Sequence, residues 1–202
     1  MSLYFTDVDP AAAELPWRSF TIPSSAPPVR LLRLEVDRSD GSSTSLVRFP
    51  PGWSRPDAGH YLVGEEFVVL EGGLTVSGVE YGPGDHGWIP AGATRHGSRT
   101  ETGALALAWF SGVPDWVDAP GSAPTGEVTP LLTVPIPEGG LPLRSGESSR
   151  TRLYERVPAA FTSPARVLFL DGPRWSAYGP GEPVARRPGR AVVHLGLPSH
   201  GS

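Results

Sequence analysis

Cysteine is missing from this chain of 202 residues, and with it go disulfides, thiolate metal ligands and a cysteine nucleophile. Lysine, asparagine and glutamine are missing as well. Arginine is therefore the permanent side-chain cation throughout, and Schiff-base chemistry has no side-chain amine to start from. Any metal ion must be held by histidine, carboxylate or water. No stretch approaches the roughly 18 apolar residues that span a bilayer, and the N-terminus lacks a basic segment followed by an apolar one. The expected compartment is the cytoplasm. The formal net charge of -4 supplies no cationic field for nucleic acid or an anionic membrane, so neither is expected as a partner.

Turn formers are abundant. The 25 Gly and 24 Pro cut the apolar residues into short runs, which is the pattern of an all-β sandwich or barrel. The runs predict strands at Val29–Val36, Ser43–Phe49, Glu66–Glu71, Leu74–Val76, His86–Ile89 and Ala104–Phe110. In the last of these, Leu105, Leu107 and Trp109 alternate with Ala104, Ala106 and Ala108, so a large face backs a small one, as in a strand packed on both sides. A single helical turn or two is predicted at Asp9–Leu15, with Asp9 as cap, Pro10 at the first position and Pro16 as stop. The richness in Gly, Pro, Ala and Arg matches a GC-rich genome and hints at a bacterial source.

A chain of this length buries one core, or one core and a half-sized appendage. Residues 1–27 read as an N-terminal arm and 28–112 as the main barrel. Residues 113–150 are polar and rich in Pro, Gly and Ser, with a short apolar run at Leu131–Val134, and read as a linker or wrapping arm. Further strands are predicted at Thr151–Val157, Arg166–Leu170 and Ala191–Leu195. These resemble the first block at an offset of 122 residues: Arg30-Leu31 against Arg152-Leu153, then Pro51, Trp53, Ser54 and Gly59 against Pro173, Trp175, Ser176 and Gly181. Residues 151–202 are accordingly read as a degenerate partial second repeat, a β half-repeat added to the barrel.

The residues that suggest chemistry are His60, Glu65 and His96. His60 and Glu65 flank a short loop entering a strand, and His96 follows the Pro90-Ala91-Gly92 turn, which can bring it back across a barrel. Such convergence builds a two-His, one-carboxylate metal site with open positions for substrate. The spacing then resembles a family. Gly52, Ala58, His60, Glu65 and Gly72 follow the first motif of the cupin superfamily, G-x5-H-x-H-x3-4-E-x6-G, with Ala58 in place of the first His. Gly84, Pro90 and Gly92 follow the second motif, G-x5-P-x-G-x2-H-x3-N. Arg95 stands at its His position, His96 lies one residue later, and Thr100 stands where the Asn would be. The run from His96 to Gly103 is similar to that of anti-sigma-factor-type cupins, which favours a one-residue insertion before His96.

The resemblance covers about residues 28–112 and implies an antiparallel cupin β-barrel, or jelly roll, with His60, Glu65 and His96 as ligands of one divalent ion: Fe, Mn, Zn or Ni. It implies an enzyme acting on a small organic molecule, of oxygenase or of isomerase or cyclase type. Glu65 is a candidate catalytic group beside the metal, and Tyr61 and Arg95 are candidates for orienting substrate, Arg95 through its planar fork if it points inward. Because Ala58 removes one donor, the alternative is a metal-free pocket: a ligand sensor, or a cyclase using His60 and Glu65 as acid and base. A third reading is a structural barrel whose truncated second half makes dimer contacts. Glu66, next to an inward Glu65, is expected on the solvated face. His86 and Trp88 share a face, either lining the pocket together or lying outside it together. Open sheet edges make a homodimer the expected assembly.

Overall fold

The computed structural model describes residues 2–3, 5–12, 14–123, 126–145 and 149–196. It is all-β among those residues, with antiparallel pairing between neighbouring strands. Two compact units divide the chain: residues 1–5 with 14–130, and residues 6–13 with 131–202.

The first unit is built on an eight-stranded sheet. Its order is Ser2–Leu3, Val29–Val36, Ser43–Phe49, Ala104–Phe110, Glu65–Gly72, Asp85–Ile89 and Glu127–Pro130, with Arg18–Phe20 also paired to Val29–Val36. A smaller sheet runs Ser54–Arg55, Ser98–Arg99, Leu74–Val76 and Val79–Tyr81, and a two-stranded ribbon joins His60–Tyr61 to Trp116–Val117. Val29, Val47, Phe67, Val69 and Ala108 of the large sheet pack with Leu74, Val76 and Tyr81 of the small one. This is a barrel of two facing sheets, as alternation along short, turn-bounded strands requires.

The pairing of Ala104–Phe110 with Glu65–Gly72 shifts register between Leu105 and Ala106. The extra residue is Leu70. At the end of the strand Gly72 has a φ of +71°, and a Cβ there would stand 2.0 Å from the Gly103 carbonyl oxygen, so only glycine fits.

The second unit is a five-stranded sheet ordered Leu141–Ser145, Ser149–Tyr154, Ala191–Gly196, Ala165–Phe169 and Arg174–Tyr178. Phe161, Val167, Phe169, Tyr178, Val184 and Val193 form an apolar cluster on it. The chain's early segment joins this unit: Val8 bridges to Trp175 through two backbone hydrogen bonds, and Arg174 pairs with the Asp7 carboxylate. That guanidinium holds the Asp7 carboxyl below the usual carboxylate range.

Two sequence expectations need correction here. The predicted helix at Asp9–Leu15 is a turn among its described residues; the Asp9 side chain does accept a hydrogen bond from the Ala11 N–H at 2.8 Å, but no helix follows. The cap forms, and a few alanines before Pro16 are too short a run to propagate. Of the two readings of 113–150, a linker or a wrapping arm, the linker gives way: Trp116–Val117, Glu127–Pro130 and Leu141–Ser145 are strands, and Leu131 is fully buried. Each of these strands pairs on one side only, where alternation is weak.

Candidate functional site

A cavity of about 150 Å³ lies inside the first unit. Most of its wall is apolar: Val47, Phe49, Trp53, Phe67, Leu74, Val76, Ile89, Ala106, Ala108 and Phe110 contribute. Space exists there because the Ala104–Phe110 strand turns its small face inward and sends Leu105, Leu107 and Trp109 to the other side. The alternation legible in the sequence thus sets the volume of the cavity.

Four polar side chains meet at the cavity wall: Arg55, Tyr61, Glu65 and Arg95. Arg95 is 2% exposed and forms an ion pair through Nη1 with the Glu65 carboxylate. Its guanidinium carbon lies 4.6 Å from the centre of the Tyr61 ring. Arg55, 5% exposed, donates from Nη1 to the Tyr61 hydroxyl at 3.3 Å and stacks on Trp116 with its guanidinium carbon 3.8 Å from the ring centre. Two like charges are tolerated in this interior because a carboxylate and the faces of two aromatic rings surround them. Burial holds the Tyr61 hydroxyl above the usual phenol range, with the Arg55 charge and hydrogen bond opposing it, so the group stays protonated.

Several donors at this end have no protein partner. Nε and Nη2 of Arg95, Nε of Arg55 and Oγ of Ser98 are buried without a hydrogen-bond partner among the described residues. Ser98 also lines the cavity and pairs in register with Arg55. A buried donor that stays unsatisfied costs about 1–3 kcal/mol, so these groups favour an acceptor placed inside the cavity.

Local backbone geometry decides which side chains enter. Arg95 and Gly59 exchange two backbone hydrogen bonds, Arg95 N–H to the Gly59 carbonyl at 2.8 Å and Gly59 N–H to the Arg95 carbonyl at 3.0 Å. The Trp116 ring seals Gly59, where an added Cβ would lie 2.1 Å from the indole. With Arg95 pinned inward, extended geometry turns His96 outward, and it is exposed. His96 is held through its backbone, its N–H donating to Ser77 Oγ at 3.2 Å and its carbonyl accepting from the Ser77 N–H at 2.9 Å. The same alternation puts Tyr61 in the cavity wall and His60 outside it, where Nδ1 donates to the Ala119 carbonyl at 2.8 Å.

The expected metal triad is therefore not assembled. Glu65 lies in the cavity wall, and neither His60 nor His96 does. Among the described residues, no group of three or more His, Asp or Glu is gathered to hold a metal ion. The insertion placed before His96 is also corrected, because Arg95 itself fills the motif position. The first motif allows three or four residues between its second His and its Glu, and the inward register uses three. Counted back from Glu65 in that register, the two histidine positions fall on Tyr61 and Gly59, with six residues rather than five after Gly52. The residues present do not fit a divalent ion at this position. Tyr61, Glu65 and Arg95, the expected substrate-facing and catalytic candidates, are brought together.

Glu66 departs from expectation too. It is 0% exposed, and its Oε1 lies 2.9 Å from Nε2 of His86, itself buried. The strand has protein on both sides, so the face opposite Glu65 is sealed rather than solvated. His86 and Trp88 both lie outside the cavity lining; Trp88 packs on Gly64. Arg55 was missed by the sequence reading. Arg55 and Trp53, two residues apart, both line the cavity, and an arginine in so short a segment gives no sign in sequence of pointing inward.

A barrel of two facing β-sheets around an interior cavity defines the cupin class. The chain belongs to the ChrR cupin-like family, whose model matches residues 9–111. Among solved structures, a candidate dioxygenase of Nostoc punctiforme superposes with a TM-score of 0.68 at 17% identity, over 95% of this chain and 87% of that one. A cupin 2 conserved barrel protein of Leptotrichia buccalis gives 0.56 at 12% identity, over 84% of this chain and 89% of the other. The protein Ylba of E. coli gives 0.54 at 12% identity, over 95% and 86%. At such identities the likeness shows the fold alone. No curated protein matches the chain.

Proposed function

We propose that this chain is a small-molecule-binding cupin that works without a metal ion. The observation that carries the reading is Arg95, a buried guanidinium paired to Glu65 at the motif position of a metal-ligating histidine. A fixed organic cation holds the carboxylate that a metal would otherwise share, and His60 and His96 point elsewhere. Beside it lies an apolar cavity with a few convergent polar groups, the usual composition of a small-molecule site. Oxygenase chemistry, suggested by the motif and by the name of one structural neighbour, finds no matching donor set among the described residues.

The test is a metal titration. Protein stripped with chelator and offered Fe(II), Mn(II), Zn(II) or Ni(II) is expected to bind less than one equivalent, measured by calorimetry and elemental analysis. The double variant Tyr61→His/Arg95→His, which supplies two imidazoles beside Glu65, is expected to gain stoichiometric Zn(II) or Ni(II) binding. Stoichiometric, tight binding by the unaltered protein would overturn the proposal.

Tyr61 favours a second reading, an acid–base enzyme. Its hydroxyl accepts from Arg55 and keeps its own proton at neutral pH, so it is equipped to donate to a reacting oxygen. Tyr61→Phe separates the two: an enzyme loses turnover and keeps ligand affinity, and a binding protein has no turnover to lose.

A further inference from the structure

We infer that the ligand of this cavity is a compact organic monocarboxylate with an aromatic or branched apolar body, close to benzoate in size, held by the side edge of Arg95. The inference rests on the metal-free reading above and adds the chemistry of the ligand.

Three observations converge on it. The first is the pattern of unpartnered donors. Glu65 occupies Nη1 of Arg95 and leaves Nε and Nη2. Those two N–H groups form one edge of the planar guanidinium, the fork that matches both oxygens of a carboxylate. Nε of Arg55 and Oγ of Ser98 add donors at the same end of the cavity. A partner rich in acceptors satisfies all of them, whereas an amine or a hydrocarbon satisfies none.

The second is charge. Arg55 and Arg95 are buried, and Glu65 is the one carboxylate in the cavity wall. Two cations against one anion leave a single positive charge in a low-dielectric site. The remaining lining cation, Arg33, is exposed to solvent. A monoanion balances the buried set, and a phosphate dianion overshoots it at a desolvation cost.

The third is size and lining. An apolar cavity of about 150 Å³ accommodates one benzene-sized ring, and the cavity here has that volume. Its apolar lining, which includes Val47, Phe67, Ala106 and Ala108, suits a ring or a branched chain, and the guanidinium suits the carboxylate.

Calorimetry on the full chain in chelator tests the inference with four probes: benzoate, cyclohexanecarboxylate, the neutral isostere benzamide, and inorganic phosphate. Both carboxylates are expected to bind, with benzoate at least about tenfold tighter than benzamide. Glu65→Gln, which removes the competing carboxylate, is expected to tighten benzoate, a response that a purely structural Arg95–Glu65 pair would not give. Arg95→Met is expected to abolish the preference for benzoate over benzamide, and Arg55→Met to reduce it. Ala108→Leu, which fills the cavity, is expected to abolish binding of every organic probe, with thermal unfolding verifying that each variant is folded. Equal affinity for benzamide and benzoate in chelator overturns the carboxylate assignment and leaves the metal-free pocket standing. Benzoate binding that appears only after metal is added overturns both. Phosphate binding as tight as benzoate, or no binding by any probe, overturns the inference.

Discussion

Glu65 and Glu66 are neighbours on one strand, and their surroundings differ sharply. Glu65 meets Arg95 at the wall of a cavity, where its partner keeps two donors unused. Glu66 meets His86 on the opposite face, with both side chains sealed from solvent. Alternation along an extended strand separates the pair, and what packs on each face does the rest. The comparison teaches that a buried polar pair beside a cavity can serve a ligand, whereas one inside close packing serves the fold.

Breaking each pair should expose that difference. The largest effect is expected for Glu66→Ala, which leaves the His86 ring without its hydrogen-bond partner and opens space in a sealed site, and should cost about 3 kcal/mol of unfolding free energy by denaturant titration. Glu65→Gln keeps an acceptor for Arg95 and loses only the assistance of charge, so about 1–2 kcal/mol is expected in the same measurement. Equal losses would erase the distinction between the two faces. Arg95→Met leaves the Glu65 carboxylate without its cation, and the removal of two unpartnered donors offsets only part of that cost, so a loss of about 1 kcal/mol is expected. The smallest effect concerns pH. Tyr61 and Tyr81 are both held above the usual phenol range by burial. Unfolded phenols lose their protons near pH 10, so above that pH the unfolded chain binds fewer protons than the folded one. Stability contributed by these groups is complete below about pH 10 and is lost as pH rises through their folded values. Denaturation midpoints measured from pH 8 to 11 should fall, and Tyr61→Phe should remove part of that slope.

The fold was largely legible in the sequence. Turn formers bound Val29–Val36, Ser43–Phe49, Leu74–Val76 and Ala104–Phe110, and the structure has strands at those residues. The small face of Ala104, Ala106 and Ala108 was legible as well, though its consequence, an internal void, depends on what stands opposite. The site was half legible. Tyr61, Glu65 and Arg95 were singled out and do meet. The imidazoles at 60 and 96 were assigned inward, and both face out, because the register is set by the hydrogen-bonded bridge between Gly59 and Arg95. That bridge links two loops 36 positions apart by number (95 less 59), and no local pattern announces it. Glu66 was misread for a related reason: a carboxylate on a strand reads as solvated unless something distant covers it.

The bridge that pins Arg95 has a consequence for how such a protein responds to its surroundings. A metal centre can be stripped by a competing chelator, exchanged for another ion, or altered by oxidation. A guanidinium is covalently part of the chain and keeps its proton at any pH a cell reaches. The positive charge in this cavity is accordingly permanent, indifferent to metal supply and to redox conditions, and is present from the moment the chain folds.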